Sequence, residues 1–198
     1  MYELIILTLL IRWPAHGYLI SKIINDMIGP YARMSNGRLY PLLSRLEEQG
    51  MIVTFTETEK TQKGERHLRS YKITEDGRKR FHDLMMDTTS NPGEYQKMFL
   101  QKVPVMEFLK PTERLYLIDH YMNYCQAHVL HLTAEAEDLL RDVTNKIFFM
   151  GRTQLEATLD LMHHVADQWR LDLEWARSLR EKEVATVKAI EFENLDTV

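Results

Sequence analysis

The sequence contains little cysteine, glycine or proline: its 198 residues include one Cys, eight Gly and six Pro. A single cysteine cannot form an intramolecular disulfide, so a disulfide-stabilised secreted scaffold is excluded. So few Gly and Pro exclude a collagenous or low-complexity chain, and a hydrophobic content of 44% excludes a disordered one. The composition predicts a globular protein of one large domain or two small ones.

Long hydrophobic runs and targeting signals are also missing. No apolar run approaches the roughly 20 residues that a membrane-spanning helix needs. The start of the chain is apolar through Ile11, but it carries Glu3 and lacks both a basic segment and a small-residue cleavage site. We therefore expect a cytoplasmic protein with no membrane partner. Phosphate-binding loops, dinucleotide fingerprints and nucleophile constellations are absent too, so we expect no enzyme and no cofactor.

Excess positive charge is missing from the whole chain, whose formal charge is −4. The charge is nevertheless uneven. Residues 1–87 contain 13 Lys and Arg against 11 Asp and Glu, whereas the remaining residues contain 12 against 18. The first part is therefore mildly basic and the second part acidic, so the net charge does not exclude a nucleic-acid partner for the first part.

The first part predicts three helices. Leu and Ile dominate residues 2–12, and residues 18–27 carry apolar side chains at steps of three and four. A third helix is predicted over residues 36–49, with Ser35 as its N-cap and Gly50 beyond its end. Pro41 lies inside this helix, where it predicts a kink or an irregular first turn.

A β-hairpin and a fourth helix follow. The β-branched and aromatic residues at 51–56 and 69–74 predict two strands joined by a long polar tip. Thr74 can cap a helix that ends near Asp87. The resulting fold class is mainly α with a small β-hairpin, in the order of a winged helix-turn-helix.

We expect four regions along the chain: a winged helix-turn-helix domain at 1–87, a linker with a short helix at 88–111, an antiparallel helical domain at 112–185, and a frayed acidic tail at 186–198. In the third region two helical patterns repeat apolar residues at heptad spacing. A two-helix hairpin leaves apolar surface exposed, which a second copy would cover, so the sequence predicts a homodimer. The candidate dimerisation residues are Leu115, Ile118, Met122, Val129, Leu132, Leu155, Leu159, Met162, Trp169 and Leu173.

In a winged helix-turn-helix one helix enters the major groove and the hairpin tip contacts the adjacent backbone. Before Glu47 the outward residues of the third helix are cationic or neutral, and the hairpin carries several cations. Such a surface suits phosphate contact, so the expected partner is double-stranded DNA. The candidate DNA-binding residues are Tyr18, Ser35, Asn36, Gly37, Arg38, Tyr40, Pro41, Ser44, Arg45, Lys60, Lys63, Arg66, His67 and Arg69.

Several short motifs carry a family resemblance. They are Ala-His-Gly-Tyr at 15–18, Gly-Arg-Leu-Tyr-Pro-Leu-Leu at 37–43, Leu46-Glu47 with Gly50, and Tyr-Lys-Ile-Thr at 71–74 with Gly77. Spaced in this way they resemble the PadR family of bacterial transcriptional regulators over about the first 87 residues. The long helical region beyond them is similar to the subfamily with a large C-terminal dimerisation domain.

The resemblance implies a dimeric repressor that binds a palindromic operator through Tyr18, residues 35–45 and the wing. It also implies release by a small aromatic or amphipathic effector, as in several relatives, although no residue pattern identifies such a ligand. The alternative is a protein-interaction adaptor that keeps the fold without sequence-specific DNA binding. A salt titration would distinguish the two, because only DNA binding must weaken steeply as salt rises.

Three interpretations stay open at individual positions. Tyr40 could pack against the protein or face DNA, and His16 could cap the second helix rather than contact a base. Cys125, His128 and His131 lie at steps of three on one helix and would converge poorly on a metal ion, so we expect no metal site.

Overall fold

The computed structural model describes residues 2–28, 33–61, 64–141 and 143–195, and it describes their side chains except for those of 57–67 and 190–195. The chain forms two compact units, Met1–Val105 and Met106–Val198. None of the helices in the described ranges is long and apolar enough to cross a membrane. The predicted fold class, mainly α with a small β-sheet, is confirmed.

Among the described residues of the first unit there are five α-helices, at the positions that the apolar spacing predicts. They are α1 (Tyr2–Arg12), α2 (Gly17–Ile28), α3 (Asn36–Glu48), α4 (Glu75–Met86) and α5 (Tyr95–Lys102). Six of the eleven residues of α1 are buried, as its run of Leu and Ile requires. Helix α3 instead buries the stripe Leu39, Leu43 and Leu46 and exposes most of its other residues. Helix α1 therefore belongs to the core, whereas α3 has one buried face and one exposed face.

The two ends of α3 are formed differently. Ser35 has extended backbone angles and its carbonyl accepts hydrogen bonds from the amides of Arg38 and Leu39, but its side chain makes no capping bond. Ser35 is thus the N-cap by position only. At the other end the Gly50 amide donates to Glu47 and the Met51 amide donates to Leu46, both at 2.9 Å, with Gly50 at a φ of 73°. This is a Schellman motif, for which glycine is favoured because it adopts positive φ without strain.

Pro41 does not interrupt α3. The expected irregular first turn is wrong, since one continuous α-helix runs from Asn36 to Glu48, whereas the expected kink stays a prediction. Proline removes only the hydrogen bond to the carbonyl four residues before it, which here belongs to Gly37 in the first turn of the helix. Gly37 is exposed, so water can reach this end of the helix.

The sheet has three antiparallel strands in the order β1 (Ala15–His16), β3 (Gly64–Ile73), β2 (Ile52–Thr61). The predicted long polar tip is therefore wrong, because β2 and β3 pair continuously from Ile52 with Ile73 to Thr61 with Gly64. Alternating Thr residues favour the strand conformation over this stretch despite its charge. The short β1, which the sequence pattern missed, pairs with β3 near Ser70 and Tyr71.

Helix α4 is fixed to the sheet by a close backbone approach. A Cβ atom on Gly77 would lie 2.0 Å from the carbonyl oxygen of Met51, so a larger residue does not fit. The Thr74 hydroxyl accepts a hydrogen bond from the Gly77 amide at 3.0 Å, which confirms Thr74 as the predicted N-cap. The Glu3 carboxylate on α1 also accepts from Arg80 on α4 at 2.8 Å. These contacts hold the strand-to-helix corner rigid.

The second unit is a helical hairpin with three helices, α6 (Pro111–Arg141), α7 (Val143–Met150) and α8 (Arg152–Leu195). Later positions of α6 contact earlier positions of α8, as in the antiparallel pairing that the sequence predicts. Gly151, at a φ of 78°, ends α7 and allows the chain to reverse. Helix α8 continues past residue 186 to Leu195, and no Gly or Pro interrupts it after Gly151.

Candidate nucleic-acid interface

Helix α3 presents a cationic face opposite its apolar stripe. Arg38 and Arg45 are both exposed, whereas Leu39, Leu43 and Leu46 are fully buried. Seven residues are almost two helical turns, so the two guanidinium groups emerge on the same side about 10 Å apart along the axis. The remaining predicted residues on this helix and at its start are exposed as well, namely Ser35, Asn36, Gly37, Tyr40, Pro41 and Ser44.

The two predicted tyrosines differ in their packing. Tyr18, near the start of α2, is 74% exposed and stacks its ring 6.3 Å from that of His16. Tyr40 is half-exposed and lies across Gly17, where an added Cβ would be 2.9 Å from its ring. Tyr40 therefore packs against Gly17 and at the same time keeps part of its side chain exposed. A side chain at position 17 would push against this ring, so Gly17 gives the ring of Tyr40 its place beside α2.

His16 orients the second helix, as one of the sequence interpretations proposes. Its Nδ1 accepts a hydrogen bond from the backbone amide of Leu19 at 3.1 Å, so the ring is assigned with Nδ1 unprotonated. An amide in the first turn of a helix lacks an intrahelical partner, and this ring supplies one.

A residue that the sequence pattern did not identify positions the start of α3. The Asn25 side chain accepts from the Met34 amide at 2.6 Å and donates to the Met34 carbonyl at 3.4 Å. Both bonds hold the backbone one residue before Ser35, and Met34 itself is buried. Asn25 thus links α2 to α3. A polar residue at a part-buried helix position was the available indication of this role.

The wing brings one of its predicted cations next to α3. Arg69 on β3 donates from Nη2 to Oε2 of Glu47 at 2.7 Å, and its guanidinium carbon lies 5.7 Å from the centroid of the Tyr71 ring. The Thr54 hydroxyl on β2 donates to the other carboxylate oxygen of Glu47 at 2.6 Å. Glu47 therefore connects the helix to both strands. The side chains of Lys60, Lys63, Arg66 and His67 lie outside the described residues.

The candidate dimerisation residues fall into two groups. Ile118, Val129, Leu155 and Leu173 are buried within one chain, whereas the others are partly exposed, namely Leu115, Met122, Leu132, Leu159, Met162 and Trp169. Further apolar side chains on these helices are exposed although they lie off the predicted spacing. They are Tyr116, Leu130, Leu140, Phe148, Phe149, Leu161, Leu171 and Trp175.

Polar and aromatic contacts join α6 to α8. The Tyr121 hydroxyl donates to the Asp172 carboxylate at 2.5 Å, and burial together with this bond raises the pKa of Tyr121. The His128 ring stacks on Trp169 with a centroid distance of 4.2 Å, and burial lowers the His128 pKa. Tyr121 is buried although it lies off the heptad spacing of apolar residues. Its hydroxyl can be buried because it has a hydrogen-bond partner on the other helix.

No group of three potential ligands among the described residues could hold a metal ion. Cys125 is buried in the hairpin, and desolvation raises the pKa of its thiol to about 11. A neutral buried thiol packs as a small hydrophobic group.

The first unit also contains a cavity of about 470 Å³ beside the end of α4. Asp87 on its wall accepts hydrogen bonds from Ser90 and Thr89, which lower the Asp87 pKa to about 2. The lining residues are Arg80, Asp83, Leu84, Asp87, Thr88, Thr89, Ser90, Asn91, Tyr95 and Met98.

Residues 6–83 match the family model of the transcriptional regulator PadR-like family. The negative transcriptional regulator PadR of Bacillus subtilis strain 168 is 26% identical over 135 residues, which are 68% of this chain and 72% of that protein. The crystal structure of B. subtilis PadR in complex with operator DNA is 19% identical, covers 91% of this chain and 96% of its own, and has a TM-score of 0.40. The PadR-like transcriptional regulator of Bacillus cereus is 20% identical, with coverages of 94% and 99% and a TM-score of 0.35.

Proposed function

We propose that this protein is a transcriptional regulator of the PadR-like type, a dimeric repressor that binds a palindromic DNA operator; the match of residues 6–83 to the PadR-like family model supports this. Helix α3 enters the major groove, the wing contacts the adjacent backbone, and the dimer sets a half-site spacing of about one helical turn. The observation that carries the proposal is the exposed pair Arg38 and Arg45 on one side of α3. Repression is supported by the B. subtilis relative, which is a negative regulator.

The test compares arginine variants in a mobility-shift assay on genomic fragments that the wild-type protein selects. Replacing Arg38 or Arg45 with Ala should weaken binding about 5- to 150-fold, which corresponds to about 1–3 kcal/mol for a base contact. Arg78→Ala removes the same charge from an exposed position on α4 and should leave binding unchanged. Equal binding by all folded variants would exclude the α3 surface.

A salt titration of the wild-type protein distinguishes DNA binding from the adaptor alternative. Release of counterions from DNA makes the logarithm of affinity fall linearly with the logarithm of salt concentration. A steep slope is expected for the repressor. A salt-independent affinity, or no DNA binding at all, would favour an adaptor that uses the same fold on a protein partner.

We also propose that a small amphipathic effector binds the first unit and releases the DNA. The cavity beside α4 has a volume of about 470 Å³, within the range of small-molecule sites. The carboxylates of Asp83 and Asp87 on its wall disfavour an anionic ligand, so an uncharged or cationic amphipathic effector suits it better. Such compounds should raise the melting temperature of the protein and lower its affinity for DNA; no change in either would exclude effector release by this class.

A further inference from the structure

One cation of the candidate DNA-binding surface is already engaged by an anion. Arg69 donates to Glu47 at 2.7 Å, and the face of Tyr71 lies on another side of the same guanidinium. The arginine is nevertheless 63% exposed in its side chain, whereas the side chain of Glu47 is 30% exposed. Solvent and phosphate can therefore reach Arg69. Glu47, however, already accepts a hydrogen bond from its guanidinium.

Glu47 itself has little freedom to move away. Its second carboxylate oxygen accepts from the Thr54 hydroxyl at 2.6 Å, and its backbone carbonyl accepts from the Gly50 amide in the Schellman motif. The side chain is thus fixed by β2 while it binds a residue of β3. Hydrogen bonds to both oxygens hold the carboxylate beside the arginine.

We propose that Glu47 is a positioning residue that masks Arg69 and thereby lowers the affinity of the protein for non-specific DNA. This inference rests on the proposed DNA-binding function. The guanidinium of Arg69 keeps donors for a phosphate, but the negative charge of Glu47 beside it offsets its attraction for one, so random duplex gains little from this cation. Arg38 and Arg45 on α3 remain free for base edges. Specificity therefore depends in part on an acidic residue of α3 that holds a cation of the wing.

The discriminating measurement is the salt dependence of binding to a fluorescein-labelled DNA duplex of mixed sequence. Glu47→Gln keeps the shape of the side chain but removes its charge, which frees Arg69 for a phosphate. One additional phosphate contact steepens the slope by about 0.9, so the affinity of the variant should fall about threefold more than that of wild type between 50 and 200 mM salt. At low salt the variant should bind this duplex more tightly.

Three further variants separate masking from other effects. Arg69→Ala should change the slope little in the wild-type background but should remove the gain in the Glu47→Gln background. Glu48→Gln removes the same charge from the next, exposed residue of α3 and should leave the slope unchanged. Thr54→Val removes the other partner of Glu47 and tests whether loosening the wing alone changes the slope; it should not.

The inference is overturned if Glu47→Gln has the wild-type slope, or if Glu48→Gln steepens it equally. A wild-type protein without salt-dependent DNA binding would instead contradict the proposed function itself. Melting curves of each variant confirm that it is folded before its slope is compared.

Discussion

Lys102, at the end of α5, places an amino group in the interior of the first unit. Its side chain is fully buried and donates from Nζ to the backbone carbonyl of Asp87 at 2.5 Å. The amino group also lies 5.8 Å from the centroid of the Tyr95 ring. These partners stabilise the cation only in part, because desolvation lowers the Lys102 pKa to about 8. The contact ties α5 to the C-terminal end of α4, where a cation is favourable.

Alkaline pH should therefore stabilise the first unit through Lys102. The folded protein loses this proton near pH 8, whereas the unfolded chain keeps it until about pH 10.5, so the unfolded state binds more protons in between. Stability rises with pH across this window, by at most about 3 kcal/mol. Urea unfolding gives the free energy of unfolding of wild type and of Lys102→Met at pH 7.5 and at pH 9.5. The effect of Lys102 is the change, between the two pH values, in the difference between these two free energies.

The matched control is Lys97→Met, which replaces an exposed lysine on the same helix. Its stability relative to wild type should stay constant over the same pH interval. A constant difference between wild type and Lys102→Met would show that the buried amino group does not titrate in this window.

The exposed side chains of α3 could be predicted from sequence, because the spacing of Leu39, Leu43 and Leu46 defines the face that must be buried. The partners of individual residues could not. Arg69 meets Glu47 only because the strand register brings them together across 22 positions of sequence. Lys102 is a lysine, whose usual place is the surface, and nothing in its neighbours indicates a buried carbonyl to bind.

At the scale of elements, the turn between α2 and α3 depends on one amide side chain. Asn25 forms hydrogen bonds with both the amide and the carbonyl of Met34. Their geometry resembles a short piece of sheet pairing between a side chain and the backbone. These two hydrogen bonds fix the position of the residue before Ser35. They thereby fix where α3, which carries the candidate recognition surface, begins relative to α2.

Asn25→Ala should destabilise the first unit by about 1–3 kcal/mol, because the buried amide of Met34 loses its partner. Urea unfolding followed by circular dichroism measures the loss, and hydrogen exchange of the Met34 amide should accelerate. Asp26→Ala, at the adjacent exposed position, serves as the control. Wild-type stability of the Asn25 variant would mean that water replaces both hydrogen bonds without cost.

The presence of the wing and of each helix in the first unit could be predicted from the spacing of apolar residues. The length of these elements could not always be predicted in this way. The helices of the first unit begin and end within a few residues of the predicted positions, because capping residues such as Thr74 and Gly50 mark their ends. The length of the wing strands was underestimated, since residues 57–67 are all polar, charged or Gly and their sequence shows no alternation of apolar and polar residues. Their pairing comes from the partner strand, which sequence periodicity does not report.

At the scale of the whole molecule, the uneven charge reflects two different surfaces. In the second unit several cations are already paired within the hairpin, including Arg180 with Asp119 at 2.6 Å and Arg114 with Glu183 at 3.2 Å. The net negative charge of residues 88–198 therefore does not argue against contact between DNA and the exposed arginine pair on α3. The hairpin also leaves apolar side chains exposed, above all at its tip.

The proposed homodimer should depend on this tip. Phe148 and Phe149 on α7 are 83% and 82% exposed, and two aromatic rings in water favour burial against a second copy. Multi-angle light scattering of the wild-type protein should give a mass of about 47 kDa, twice the 23.5 kDa of one chain. Replacing both residues with Ser should shift the mass towards the monomer at micromolar concentration and weaken operator binding, because a single half-site remains.

Gln154→Ser, at an exposed position near the start of α8, changes a polar residue close to the same tip and should leave the mass at the dimer value. A wild-type monomer would refute the dimer altogether. A dimer that survives the double Ser substitution would place the interface on the exposed Leu residues of α6 and α8 instead, and replacing Leu130 with Ser should then shift the mass. The half-site spacing of the operator follows from whichever of these surfaces holds the two copies together.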